Sequence, residues 1–171
     1  VSDFQITPAE PGEPGVRDLI ERQLEFGRAF TPREDAHALE VDQLADPAIS
    51  LFAARDGEEV LAIGALKRLD DGHGELKAMH TAEAARGRGL GRAILGRLLE
   101  EARRQGLRRV SLETGAMAEF AAARALYKGA GFEPCAPFAD YRESPNSVYL
   151  SLALVPSRSD LTVDTTGNSE R

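Results

Sequence analysis

The stretch Arg86-Gly87-Arg88-Gly89-Leu90-Gly91-Arg92-Ala93 sets three glycines and three arginines between a strand-like run and a helix-like one. Glycine lets the backbone approach a ligand with no Cβ in the way, and a helix starting here aims unpaired N–H groups and its positive dipole end at an anion. Arg86, Arg88 and Arg92 add charge of the same sign at that mouth. The chemistry this predicts is the holding of a phosphate-bearing coenzyme. Metal chemistry is not indicated, because one cysteine, Cys135, and three scattered histidines give no ligand cluster of recognisable spacing.

The glycine spacing separates the known phosphate loops. A dinucleotide fingerprint starting at Gly87 and Gly89 needs its third glycine where Arg92 stands, and no acidic residue follows at the expected distance. A P-loop needs Gly-Lys-Ser/Thr, a tripeptide the chain lacks. The pattern Arg/Gln-x-x-Gly-x-Gly/Ala does fit, with Arg86, Gly89 and Gly91 at its fixed positions. The bland alternative is an arginine-rich helix start with no ligand.

The elements that must position this loop follow from periodicity. Phe4 to Thr7 reads as a strand, and Val16, Leu19, Ile20, Leu24 and Phe26 mark a helix after the turn at Pro11 to Gly15. A second, shorter helix is expected over Glu34 to Leu44. Ile49 to Arg55 and Val60 to Leu69 form a hairpin about Asp56-Gly57-Glu58, and Glu75 to Thr81 is the strand that delivers the chain to the glycines. Beyond them Leu90, Ile94, Leu95, Leu98, Leu99 and Ala102 recur at helical spacing up to a stop at Gly106. Val110 to Thr114 is a short interior strand, residues 118 to 130 an alanine-rich helix, and Ser147 to Val155 a last strand.

Composition narrows the class. With 171 residues, 42% of them hydrophobic, the chain is expected to build one core, with residues 1–155 a single domain and residues 156–171 a polar, disordered tail. The net charge is −7, yet residues 86 to 109 hold eight arginines against Glu100 and Glu101. An acidic surface with one basic segment suits a small polyphosphate and argues against nucleic acid. No long apolar run or basic leader is evident, so a cytoplasmic protein with no membrane partner is expected.

The element order, the loop at Arg86 to Gly91, and the run Ala125-Leu126-Tyr127-Lys128-Gly129-Ala130-Gly131-Phe132 together resemble the GNAT superfamily of acyl-CoA-dependent N-acetyltransferases. His73 to Lys77, Leu112 to Gly115 and Phe138 to Tyr141 are similar to a bacterial subgroup of small stand-alone members. The resemblance implies an α/β fold with a mixed central sheet flanked by helices. It implies acetyl-CoA as cosubstrate, no metal, a small primary amine as acceptor, and direct transfer in a ternary complex. A homodimer is plausible for the family. A non-catalytic acyl-CoA sensor or a protein-amine acetyltransferase is the alternative reading.

The same resemblance assigns roles. Gly87, Gly89, Leu90 and Gly91 with Arg86, Arg88 and Arg92 would hold the pyrophosphate, and the pantetheine arm would run beside Lys77 to Thr81, past Met79, His80 and Thr81. A backbone N–H near Met79 would face the thioester oxygen. Tyr127 is the candidate acid for the departing thiolate, although a tyrosine at helical spacing is often plain core. Glu75 is the candidate base, with Glu113, His80 and His73 in competition. Acceptor recognition is expected from Phe26, Phe30, Phe138, Tyr141 and Arg142. Cys135 is expected to be a small apolar residue and no nucleophile.

Overall fold

The computed structural model describes residues 3–155; the expected tail at 156–171 lies outside them. Helix α1 (Pro14–Phe30) begins on a proline, whose missing N–H costs nothing at that position, and buries Val16, Leu19, Ile20 and Leu24. It ends at Thr31, which the following Pro32 holds extended. Helix α2 (Leu90–Arg104) buries Leu90, Ile94, Leu95, Leu98, Leu99 and Ala102 along one side. Gly106 takes φ +74° just past its end, and Leu107 N–H then reaches back 2.9 Å to the Ala102 carbonyl. That left-handed turn is what only glycine adopts cheaply. A third helix, α3 (Ala121–Gly129), is entered through the 3-10 turn Ala118–Phe120.

Strands β1 (Gln5–Pro8), β2 (Ile49–Asp56), β3 (Glu59–Arg68), β4 (His73–Thr81), β5 (Arg109–Gly115), β6 (Glu133–Pro134) and β7 (Ser147–Ala153) form one sheet. Their order is β1-β2-β3-β4-β5-β7-β6, and every pairing is antiparallel except β4 with β5. The sheet separates two apolar clusters. One gathers Ile94, Leu98, Leu66, Val110, Leu112, Leu150, Tyr127 and Phe132, and the other packs α1 against Leu51, Ala53, Ile63 and Ala65. Each such leucine or isoleucine contributes about 1.5–3 kcal/mol relative to exposure. Among the described residues no helix is long and apolar enough to cross a membrane.

Two expectations need correction. Residues 34–44 are not a helix: the segment has only the 3-10 turns Arg33–Asp35 and Gln43–Ala45 at its ends. Its own contacts explain this, since Asp35 is tied across to Ser144 and Asn146 while Ala38, Leu39 and Val41 pack on the α1 cluster, which pulls the chain out straight. Tertiary contacts here override local propensity. The two-residue β6 was also not foreseen, being too short to show a period; its proline is tolerated because the strand lies at the sheet edge.

Two irregularities in the middle of the sheet prepare the site. Pairing of β4 with β5 stops at Glu75 and Ser111, although β4 continues to Thr81 and β5 to Gly115, so the two strands part. On its other side β4 carries a bulge: Ala65 pairs with Lys77 but Ile63 with His80, leaving Ala78 and Met79 opposite Gly64 alone. Ala78 takes φ +54°, a backbone state that costs an L residue about 1–3 kcal/mol. Gly64 is what admits the bulge, because a Cβ there would stand 2.6 Å from Met79 Sδ and 2.5 Å from Ile94 Cγ2. Gly64→Ala is therefore expected to lower stability by about 1–3 kcal/mol, read as the shift in denaturant midpoint at unchanged slope.

Candidate active site

Where β4 and β5 separate, the molecule opens into a cleft of about 1510 Å³ bounded by α1, residues 31–43, the glycine loop and α3. At one end stand Arg86, Gly87, Gly89, Leu90, Gly91 and Arg92. Gly87 and Gly89 have φ of +78° and +79°, and no heavy atom lies within 4 Å of where their Cβ atoms would be. Conformation and open space coincide there. Gly89 precedes α2 without a capping side chain, so the leading N–H groups of the helix face outward. Arg88 was expected with this group but is exposed and absent from the cleft wall. Positive φ on both sides of it turns the chain so that its side chain leaves toward solvent.

The middle of the cleft is walled by Met79, His80 and Thr81 from the bulged end of β4 and by Leu126 and Tyr127 from α3. Tyr127 is 6% exposed and packs edge-on to Phe132 at 5.9 Å between ring centres. Burial pushes its phenol well above the ordinary range, so it keeps its proton at any physiological pH. Burial, with Arg86 and Arg22 nearby, lowers His80 to about 4.

The far end is polar. Glu75, only 3% exposed, accepts from Lys77 Nζ at 3.0 Å and from the Tyr141 hydroxyl, and Lys77 Nζ also donates to Tyr141 Oη at 2.9 Å. Strand alternation puts Glu75 and Lys77 on one face of β4. Tyr141 is raised far above the usual phenol range by burial and by the Glu75 charge. Glu113, on the neighbouring β5, is pushed up to about 7, chiefly by burial. Two strips of chain roof this end: Asp35 accepts from Ser144 Oγ at 2.9 Å and Asn146 Nδ2 at 3.0 Å, and His37 meets Tyr141 edge-to-face at 5.0 Å.

The structure thus brings Glu75, Met79, His80, Thr81, Tyr127, Phe26 and Tyr141 to one cleft with the glycine loop. Phe30, Phe138, Arg142, His73 and Cys135 lie off its wall. His73 is held instead at 2.7 Å from Ser111 Oγ, and Phe138 packs on Tyr141 at 5.1 Å. Lys77, Asp35, His37 and Phe120 are wall residues that the sequence reading passes over as site groups. For Lys77 a signal existed, its spacing of two from Glu75 on one strand; for Asp35 and His37 the expected helix hid it.

The acetyltransferase (GNAT) family model matches residues 15–132. The uncharacterized N-acetyltransferase YsnE of Bacillus subtilis (strain 168) is 42% identical over 139 residues, covering 81% of this chain and 92% of the relative. The uncharacterized N-acetyltransferase YedL of Escherichia coli (strain K12) is 42% identical over 151 residues, covering 88% and 95%. The fold matches a GNAT family acetyltransferase from Elizabethkingia anophelis, solved with acetyl-CoA bound, at a TM-score of 0.67 and 19% identity over 90% of this chain and 100% of that one.

In a proton NMR titration the His80 ring is expected to remain neutral down through pH 5 and to gain its proton at about 4. Because folding lowers this pKa, the folded state binds that proton less readily than the unfolded chain, and His80 subtracts stability as pH falls below about 6.5. A ring titrating at its ordinary value would contradict the half-buried placement beside Arg86 and Arg22.

Proposed function

The chain belongs to the GNAT family of acetyltransferases, and we propose that it moves the acetyl group of acetyl-CoA to the primary amine of a small molecule, directly, within a ternary complex. The observation that carries this reading is the split between β4 and β5, with the glycine loop at one end, a polar cluster about Glu75, Lys77 and Tyr141 at the other and the buried Tyr127 between them.

Gly87, Gly89, Leu90 and Gly91 offer backbone N–H groups to the pyrophosphate while Arg86 and Arg92 add charge, and the open space at Gly87 and Gly89 fits a ligand that comes close to the backbone. The parted edge of β4 beyond Glu75 has N–H and C=O groups no longer paired to β5, which suits an amide-bearing pantetheine arm. At the bulge, a backbone N–H near Met79 stabilises the oxygen of the thioester as negative charge gathers on it. Tyr127, whose proton is firmly held in the free protein, gives it to the departing thiolate, a stronger base than the neutral thioester sulfur.

Glu75 we place as the carboxylate that fixes Lys77 and Tyr141 at the acceptor end. Glu113 and Asp35 add carboxylates to the same lining, where they can meet an incoming ammonium. The roof formed by Asp35, Ser144 and Asn146 and by His37 on Tyr141 favours a small acceptor over a protein surface. No covalent enzyme intermediate enters, since Cys135 lies off the cleft with its thiol pushed up by burial.

Calorimetric titration is expected to show acetyl-CoA binding in preference to ATP and NADH, with thiol release in the presence of some primary amines. Gly89→Glu is expected to abolish acetyl-CoA binding at a stability cost of only about 1–2 kcal/mol, the strain of an L residue at positive φ. Unchanged affinity in the folded variant would remove the loop from the site. Tyr127→Phe is expected to cut kcat about 100-fold while leaving acetyl-CoA affinity alone, as a stopped thiol assay and calorimetry would read.

A further inference from the structure

Glu113 stands on β5 two residues past Ser111, where pairing to β4 ends, so it flanks the gap from one side as Lys77, two residues past Glu75, flanks it from the other. The carboxylates that the two parting strands contribute, Glu75 and Glu113, differ in what they hold. Glu75 Oε1 is taken by the Lys77 ammonium and the Tyr141 hydroxyl, and a proton arriving there would dissolve a buried ion pair. Among the described residues Glu113 has no ion-pair partner. The groups around it are Lys77 and Glu75 from β4, Asp35 from the roof, and Ser147 and Tyr149 from β7, with Tyr141 beyond. Ser147 Oγ is buried without a hydrogen-bond partner of its own, which leaves its hydroxyl free to steady the Glu113 carboxylate.

Resting on the acetyl-transfer reading above, we propose that Glu113 is the base that takes the proton from the incoming ammonium, with Glu75 retained as the fixed counter-charge of Lys77. Burial holds Glu113 at about 7, against the pull of the Ser147 hydroxyl and of Lys77 and with the push of Glu75 and Asp35, so both of its protonation states are populated in neutral solution. A base so poised accepts the proton and passes it on to water. The step balances. The ammonium gives one proton to Glu113, the freed nitrogen lone pair forms the C–N bond, and the C–S bond breaks as Tyr127 protonates the sulfur. The second nitrogen proton restores Tyr127 through solvent, and one proton leaves by way of Glu113. Glu113 must be ionised to act, so turnover rises with pH through about 7.

The test uses the full chain, acetyl-CoA, and two acceptors: n-butylamine, a cation at neutral pH, and hydroxylamine, which arrives already neutral. Glu113→Gln is expected to lower kcat on n-butylamine about 100-fold and on hydroxylamine less than about threefold, with acetyl-CoA affinity unchanged. The wild-type rise of kcat through neutral pH is expected to disappear in that variant, and Glu113→Asp to restore part of the rate. Equal losses on both amines with the pH profile retained would overturn the proposal, as would no loss on either. Wild-type protein that binds acetyl-CoA yet releases no thiol with these two or with any of a broad panel of primary amines would instead overturn the transfer reading on which it rests.

Discussion

The parting of β4 from β5 after the Glu75–Ser111 pair is the constraint from which the rest of the site follows. In a continuous sheet the backbone groups of Lys77 to Thr81 would be spent on the neighbouring strand, and no cleft would run through the middle of the domain. Because the strands diverge, the core must close around the opening from elsewhere. Helix α2 does this beneath the sheet with its buried leucines, and α3 does it beside the gap with Tyr127. The bulge at Ala78 lies in the same unpaired length of β4 and is admitted by the missing side chain at Gly64.

Around that gap the protein separates two electrostatic tasks. The end at the glycine loop presents mainly backbone dipoles and two arginines. The other end collects carboxylates, and buried carboxylates in company are costly unless they are matched or neutralised. The structure uses both solutions side by side. Glu75 is matched by Lys77 and Tyr141, whereas Glu113 is left with its affinity for protons raised to about 7. Tyr127 sits between the two ends as a group whose proton is held firmly because nothing nearby stabilises its anion.

Most of the scaffold was legible in the sequence, as was the place of the glycine loop beside the end of β4. The strands β2 to β5 and helices α1 and α2 announce themselves through period and punctuation, and the loop at Arg86 to Gly91 through spacing that only a few ligands satisfy. Residues 34–44 misled because Glu34 to Leu44 has helix-compatible composition while its fate is decided by Asp35 and by contacts with residues more than a hundred positions away. Arg88 shows the same limit on a smaller scale, since its direction depends on the left-handed turns of its two neighbours. The difference between Glu75 and Glu113 could not be read at all from residue type. It arises from which of them Lys77 and Tyr141 reach in space.

The roof over the polar end of the cleft is fastened differently from the floor. Its span, residues 31–46, and its counterpart, residues 136–146, carry little regular structure and meet through Asp35 with Ser144 and Asn146 and through His37 on Tyr141. The glycine loop, by contrast, is anchored by a helix whose leucines form the core. Changes in the two strips would therefore alter what that end of the cleft admits while leaving the helical core and the glycine loop in place. The molecule is built as a durable handle with an interchangeable jaw.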